Sequence, residues 1–227
     1  MKKEDIEKIP CIGKCCINLY RWLKGVSPFT TSNEYWEKRY KKGGNSGAGS
    51  YNNLAEFKGE IVNDFVVKNN IETVIEFGCG DGNQLKYFQL KSYTGFDVSE
   101  TAIARCTALY KEDSSKHFQL LNNHKDENAD LVMSLDVIYH LVENETFEKY
   151  MEKVFSSSKK FVIVYSSNFD DGEERKAPHV RHRMFTNWVE ENAKNFKLIK
   201  HIPNKYPFDG NGERTSLADF YIFEKEQ

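Results

Sequence analysis

Glycines and acids at a fixed spacing mark the chemically richest stretch of this chain: Val74-Ile75-Glu76-Phe77-Gly78-Cys79-Gly80-Asp81-Gly82, followed by Tyr93-Thr94-Gly95-Phe96-Asp97. An apolar run opens into alternating glycines, and a second apolar run ends in an acid. Read as strand, tight turn, helix and strand, this puts Asp97 beside the glycine turn at the carboxyl edge of a sheet. An acid in that place accepts hydrogen bonds from the ribose hydroxyls of an adenosine. The spacing narrows the choice of ligand. A dinucleotide fingerprint needs G-x-G-x-x-G, and its third glycine position holds Asn83. Glu76 and Asp81 would repel a pyrophosphate, whereas they suit a ligand carrying an ammonium and a sulfonium.

Further along, Asp130-Leu131-Val132-Met133-Ser134-Leu135-Asp136-Val137-Ile138-Tyr139-His140-Leu141 reads as another strand with its outgoing turn. Such a turn faces the same crevice, which makes Asp136, Tyr139 and His140 candidates for the reacting centre. His140 is suited to general-base work, because an imidazole titrates near the operating pH. Its other reading is a helix-start histidine without a chemical role. Tyr139 suits packing or orientation better than proton abstraction, since a phenol titrates at about 10. Ser166-Ser167-Asn168 close a fifth strand and could hydrogen-bond an acceptor. His179-Val180-Arg181-His182-Arg183 gathers potentially cationic side chains in a slightly acidic chain, which suggests an anion site. A solvated loop, or pairing with Asp170, Asp171, Glu173 and Glu174, is the competing reading.

The elements that must position these groups are legible as periodicity. Strands are expected at 73–77, 93–98, 117–121, 130–137 and 160–166, alternating with helices near 83–90, 100–111 and 145–156. Ser99 is a plausible N-cap of the second of these. A helix bearing Leu54, Phe57, Ile61 and Phe65 on one side precedes them. Alternation of helices with continuously apolar strands predicts a parallel sheet covered on both faces. A helix over 186–195 then leads into two strands, Phe196–Ile202 and Leu217–Phe223, joined without a helix and so expected to pair antiparallel at the sheet edge. Gly43 to Ser50 is too rich in glycine for a helix or strand interior and reads as a mobile loop, or as a plain linker. Residues 1 to about 30 read as an amphipathic helix ended by Gly25 and Pro28.

Composition sets outer bounds. The 227 residues allow one sizeable α/β domain with a small appendage, and 14% aromatics can fill its core. The net charge of −2 argues against a nucleic-acid partner. There is no apolar run of membrane-spanning length and no signal-peptide pattern, so a cytoplasmic protein without an integral membrane segment is expected. Cys11, Cys15, Cys16, Cys79 and Cys106 are odd in number and fit a reducing compartment. The first three lack a fourth ligand and a C-x-x-C element, so they read as small apolar helix residues rather than a metal site.

The pattern Glu76-x-Gly78-x-Gly80-x-Gly82, with Asp97 ending the next strand, resembles class I S-adenosylmethionine-dependent methyltransferases. The resemblance implies a Rossmann-like seven-stranded α/β sheet, mostly parallel, with a reversed last strand inserted beside the fifth. It divides the chain into an N-terminal helical lid segment, 1–50, and a methyltransferase domain, 51–227. Tyr35-Trp36-x-x-Arg39-Tyr40, Ser134 to Leu141 and His179 to Thr186 are together similar to small methyltransferases encoded with bacterial capsular or surface polysaccharide genes, over nearly everything from residue 33 onward. Some enzymes of that setting are associated with O-methyl phosphoramidate decoration. The resemblance assigns S-adenosylmethionine as cofactor, S-adenosylhomocysteine as product, and a cofactor-binding set of Trp36, Tyr40, Glu76, Gly78, Gly80, Asp97, Val98 and Asp136. It implies no metal, and it leaves the adenine corner open, because Asn122, Asn123 and His124 lack the acid often found there.

Methyl transfer is an in-line displacement, so the protein mainly aligns the acceptor and excludes water. The acceptor is expected to be small and anionic, a phosphoramidate or a phosphorylated or nucleotide-activated sugar, with His179, Arg181, His182 and Arg183 binding it and His140 orienting it; a sugar hydroxyl is the alternative. For a sugar hydroxyl, His140 is expected to act as base. Two other classes stay open at this level: a nicotinamide oxidoreductase, against which Asn83 speaks, and a catalytically silent binding module that keeps the fold.

Overall fold

The computed structural model describes residues 29–172 and 177–226. The expected N-terminal helix and the Cys11, Cys15 and Cys16 cluster fall outside the described residues, as do Glu173 and Glu174 of the acidic run. Five strands run parallel: β1 (Thr73–Phe77), β2 (Ser92–Asp97), β3 (Lys116–Leu120), β4 (Ala129–Leu135) and β5 (Ser158–Ser166). Two more, β6 (Phe196–Ile202) and β7 (Asp219–Lys225), complete one seven-stranded sheet of order β3-β2-β1-β4-β5-β7-β6. β7 is antiparallel to both of its neighbours, with Phe161 opposite Glu224 and Phe196 opposite Lys225. The reversed strand beside the fifth is therefore where the resemblance put it.

The helices are α1 (Ser32–Lys41), α2 (Asn52–Lys68), α3 (Glu100–Leu109), α4 (Asn144–Ser156) and α5 (Phe185–Asn192). Alternate residues of the central strands send their side chains to opposite faces. Val74, Leu131, Met133 and Ile163 meet Phe57, Val62 and Val66 of α2 and Cys106 of α3. Ile75, Val132, Val162 and Val164 meet Met151, Val154 and Phe155 of α4 and Val189 of α5. Burial on both faces explains why these strands read as unbroken apolar runs rather than alternating ones. Ser99 caps α3 as expected, its hydroxyl accepting from Ala102 N at 3.1 Å.

The helix expected over 83–90 is replaced by a short 3-10 turn, Gln84–Tyr87. Few residues separate the glycine turn from Ser92, where β2 begins. They must return along a five-residue strand, about 17 Å at 3.3 Å per residue. An α-helix rising about 1.5 Å per residue is too short for that journey, whereas a 3-10 turn followed by extended chain reaches it. From Thr31 onward the chain forms one compact unit.

Candidate active site

At the carboxyl ends of β1, β2 and β4 lies a cavity of about 290 Å³. Its floor is the glycine turn. Gly78 N and Cys79 N both donate to Phe96 O, at 2.6 and 3.1 Å, which draws the turn onto β2. Gly78 and Gly80 hold φ values of +83° and +58°, a region L side chains rarely enter. A Cβ on Gly80 would also collide with Ser46 Oγ, and one on Gly78 with Val137 Cγ2. Gly80 N donates to Asp97 Oδ2, and Ser99 N to Asp97 Oδ1, each at 2.9 Å. Burial nevertheless raises the Asp97 carboxyl to about 6, against those bonds. Because no α-helix starts at the turn, the dipole and bare N–H groups that hold a pyrophosphate are missing there. This disfavours the nicotinamide reading independently of Asn83.

Of the expected cofactor set, Trp36, Tyr40, Gly78, Gly80, Asp97, Val98 and Asp136 line the cavity. Glu76 stands behind it, 4% exposed, and accepts from Tyr93 Oη at 2.6 Å. Burial lifts its carboxyl to about 7, with Tyr93 and Lys58 opposing. The walls fit a sulfonium-bearing adenosine: Asp97 keeps a lone pair on each oxygen for ribose hydroxyls, the turn has no Cβ where a ligand backbone must approach, and Asp97 and Asp136 supply negative charge. In the open adenine corner, Leu121 and Asn122 line the cavity. His124 does not face it, being stacked edge-on against Phe77 and Phe96.

α1 spans the cavity mouth. Its start is tied to the β4–α4 connection, with Ser32 Oγ donating to Glu143 Oε2 at 2.7 Å and accepting from Val142 N at 3.0 Å. Its middle is tied to α3, where Glu37 accepts from Ser99 Oγ and from Thr101 Oγ1. Burial opposes ionisation of Glu37, but bonds from Ser99, Lys41 and Thr101 outweigh it and hold the carboxyl at about 2. Trp36 and Tyr40, four residues apart, then share one helix face. The glycine-rich stretch after α1 is no plain linker. Ser46 N donates to Asp81 Oδ2 and Asp81 N to Ser46 Oγ, both at 2.9 Å. Tyr51 Oη joins the same carboxylate at 2.8 Å. Nothing in the residue types 43–50 announces this strap, since the partner Asp81 is distant in sequence.

Asp136 is the second focus. It sits at φ +60°, and its carboxylate accepts from Lys58 Nζ at 2.5 Å and from Tyr139 Oη at 2.8 Å. Tyr139 is thereby a partner of Asp136. Burial, then the Asp136 charge, push its phenol far above the usual range, which removes it as a base. Lys58 escaped the sequence reading. Its signal was a lysine four residues from both Leu54 and Val62 on a buried stripe.

His140 lines the cavity beside Trp36, whose ring stands edge-on to it at 4.9 Å. Its Nδ1 lies 3.1 Å from His179 O. Burial lowers this imidazole to about 4, with the bond to His179 opposing, so it is neutral near pH 7 and does not titrate near the operating pH as the sequence suggested. The basic cluster lies beside the turn that carries His140. Arg183 donates to Leu141 O at 2.7 Å, Val142 O at 2.9 Å and Asn144 Oδ1 at 3.2 Å. Arg181 donates to Asn144 Oδ1 at 2.7 Å and, through its main-chain N–H, to Tyr139 O at 2.8 Å. His182 Nδ1 meets Ser167 Oγ at 2.7 Å, and its ring stacks on Phe169. The His179 ring stacks on Tyr35. These side chains brace the turn that carries His140, and none of the cluster lines the cavity. Of the acidic run, Asp171 accepts from the His182 main chain at 3.0 Å and Asp170 from the Met184 main chain at 3.2 Å.

Comparison with known proteins agrees with this geometry. The family described as "Methyltransferase domain" matches residues 48–203. No curated protein matches the chain. Among solved structures, the N-methyltransferase NodS from Bradyrhizobium japonicum WM9 with S-adenosyl-L-homocysteine superposes with TM-score 0.67 at 14% identity, over 87% of this chain and 100% of that one. Magnesium protoporphyrin IX methyltransferase (ChlM) from Synechocystis PCC 6803 with bound SAM gives 0.57 at 14% identity, over 92% and 91%. The methyltransferase domain of bacterial CtHen1-C gives 0.58 at 19% identity, over 77% and 100%. Those identities speak to fold alone, and the family match spans well over half of the 227 residues. On that match, and with S-adenosylmethionine as its cofactor, the chain belongs to the methyltransferase-domain family of class I fold.

Proposed function

We propose that this protein transfers the methyl group of S-adenosylmethionine to a hydroxyl oxygen of a small acceptor, a sugar of a bacterial surface polysaccharide, with His140 taking the proton. The observation that carries this reading is the fixed tautomer of His140. A carbonyl oxygen only accepts, so the contact with His179 O assigns the proton to Nδ1 and leaves Nε2 with its lone pair, on a residue that lines the cavity. The cofactor supplies an electrophilic methyl. The chain's own residues do the rest: Trp36 and Tyr40 cover the cavity, Asp97 and the glycine turn hold the nucleoside end, and His140 receives the acceptor proton.

Resemblance to the surface-polysaccharide methyltransferases also raised an anionic, phosphoramidate-type acceptor. The placement of Arg181 on Asn144 Oδ1 and of Arg183 on the main-chain carbonyls of Leu141 and Val142 favours the hydroxyl instead, because those donors are already engaged. A methyl-transfer assay across nucleotide-activated sugars, phosphorylated sugars and phosphoramidates tests this. S-adenosylhomocysteine release is expected with a hydroxyl acceptor and is expected to drop in His140→Asn. Turnover with phosphoramidates alone, unaffected by that substitution, would overturn it.

A further inference from the structure

Lys58 is the one lysine or arginine among the described residues that is buried, at 0% exposure. It sits on α2 with Leu54 and Val62 as neighbours on the buried stripe, where an apolar side chain would serve packing equally well. A lysine removed from water is costly unless paired and hydrogen-bonded. Its Nζ donates to Asp136 Oδ2 at 2.5 Å and lies 5.1 Å from the centroid of the Tyr165 ring. It does not line the cavity, but Asp136 does.

The surroundings of Asp136 come from every side of the site. Tyr139 Oη donates to its other oxygen, the main-chain N–H of Asp136 is held by Tyr165 O at 2.9 Å, and Gly49 of the strap has no room for a Cβ against its carboxylate. Glu76 from β1, Tyr165 from β5 and His140 from the same turn are the other titratable groups that feel its charge. Lys58 also acts on Glu76, favouring its ionised form. We propose that Lys58 is a positioning residue of the cofactor site: its hydrogen bond holds the Asp136 carboxylate turned to the cavity, and its charge offsets that of Glu76 behind it. A cationic cofactor then meets negative charge that is already oriented.

The test is the pH dependence of S-adenosylmethionine and S-adenosylhomocysteine binding, measured by calorimetry on the full chain. Lys58→Met is expected to weaken binding relative to the unmodified protein by roughly tenfold or more near pH 6, narrowing to a few-fold near pH 8.5 as Glu76, which has lost the lysine's opposing charge, ionises. An equal loss at every pH, or no loss, would overturn the proposal. Should that variant not fold, Lys58→Met combined with Asp136→Asn leaves no unmatched charge at the pair and is compared with Asp136→Asn alone. At pH 8.5, where Glu76 is ionised with or without the lysine, the two are expected to bind S-adenosylhomocysteine within about threefold of each other. A loss of tenfold or more at that pH from the lysine change in that background would overturn the proposal as well. Both readouts are cofactor binding, so the result does not depend on which acceptor is methylated.

Discussion

The main-chain carbonyl of His179 fixes the proton of His140: Nδ1 stands 3.1 Å from that oxygen, and Nε2 is left with its lone pair. Burial holds the imidazole at about 4 against an ordinary 6.5. With both ligands saturating, kcat is expected to fall toward acid with a midpoint near 4, and a midpoint near 6.5 would refute an undisturbed low-pKa base. His140→Asn is expected to cost kcat about 10²-fold or more, while cofactor affinity measured by calorimetry stays within about threefold, since Nε2 is assigned to the acceptor proton.

Arg183 links the basic cluster to that same turn through the carbonyls of Leu141 and Val142. Hydrogen bonds from a charged donor contribute about 1.5–3 kcal/mol, discounted here because the guanidinium is only half-buried. Arg183→Met should lower stability in urea by roughly 1–2 kcal/mol and reduce kcat by loosening His140. An anion-binding role would instead raise acceptor KM and make sulfate a competitive inhibitor, which kinetics with added sulfate would reveal.

Glu76 and Asp97 have carboxyls raised by burial to about 7 and about 6. A ligand bearing an ammonium and a sulfonium favours their ionised forms. Cofactor binding between pH 6 and 7 should therefore release protons, seen as a dependence of binding enthalpy on buffer ionisation enthalpy. Glu76→Gln should remove most of that release. The signs for stability follow. These acids stabilise the ligand-free fold fully below their unfolded values, and the contribution is lost as pH rises through about 6 to 7. His140 works oppositely: its lowered value means stability is lost as pH falls from 6.5 toward about 4.

Gly80 and Ser46 face each other across the strap and the turn. Gly80→Ala is expected to weaken S-adenosylhomocysteine binding by roughly tenfold or more, because its left-handed φ costs an L residue about 1–2 kcal/mol and the new methyl meets Ser46 Oγ. Adding Ser46→Gly should recover part of that loss but not all, since only the collision is relieved. Full recovery would mean that the backbone conformation contributes nothing.

Residue order and periodicity alone determined much of this protein: the parallel sheet, the N-cap at Ser99, the glycine turn beside Asp97, and the placement of Asp136 and His140 at strand ends. Each of these depends on local spacing, which survives in one dimension as period 2, period 3.6 or a φ requirement for glycine. Tertiary structure decided the rest. The short crossover after Asn83 was set by the distance back to β2, and the strap by Asp81 reaching Ser46. Whether a cation binds ligand or protein depends on what stands opposite it. Arg183 found Leu141 O, forty-two residues away, and Lys58 found Asp136, seventy-eight residues away. A charged residue type announces a charge; only the folded chain supplies its partner.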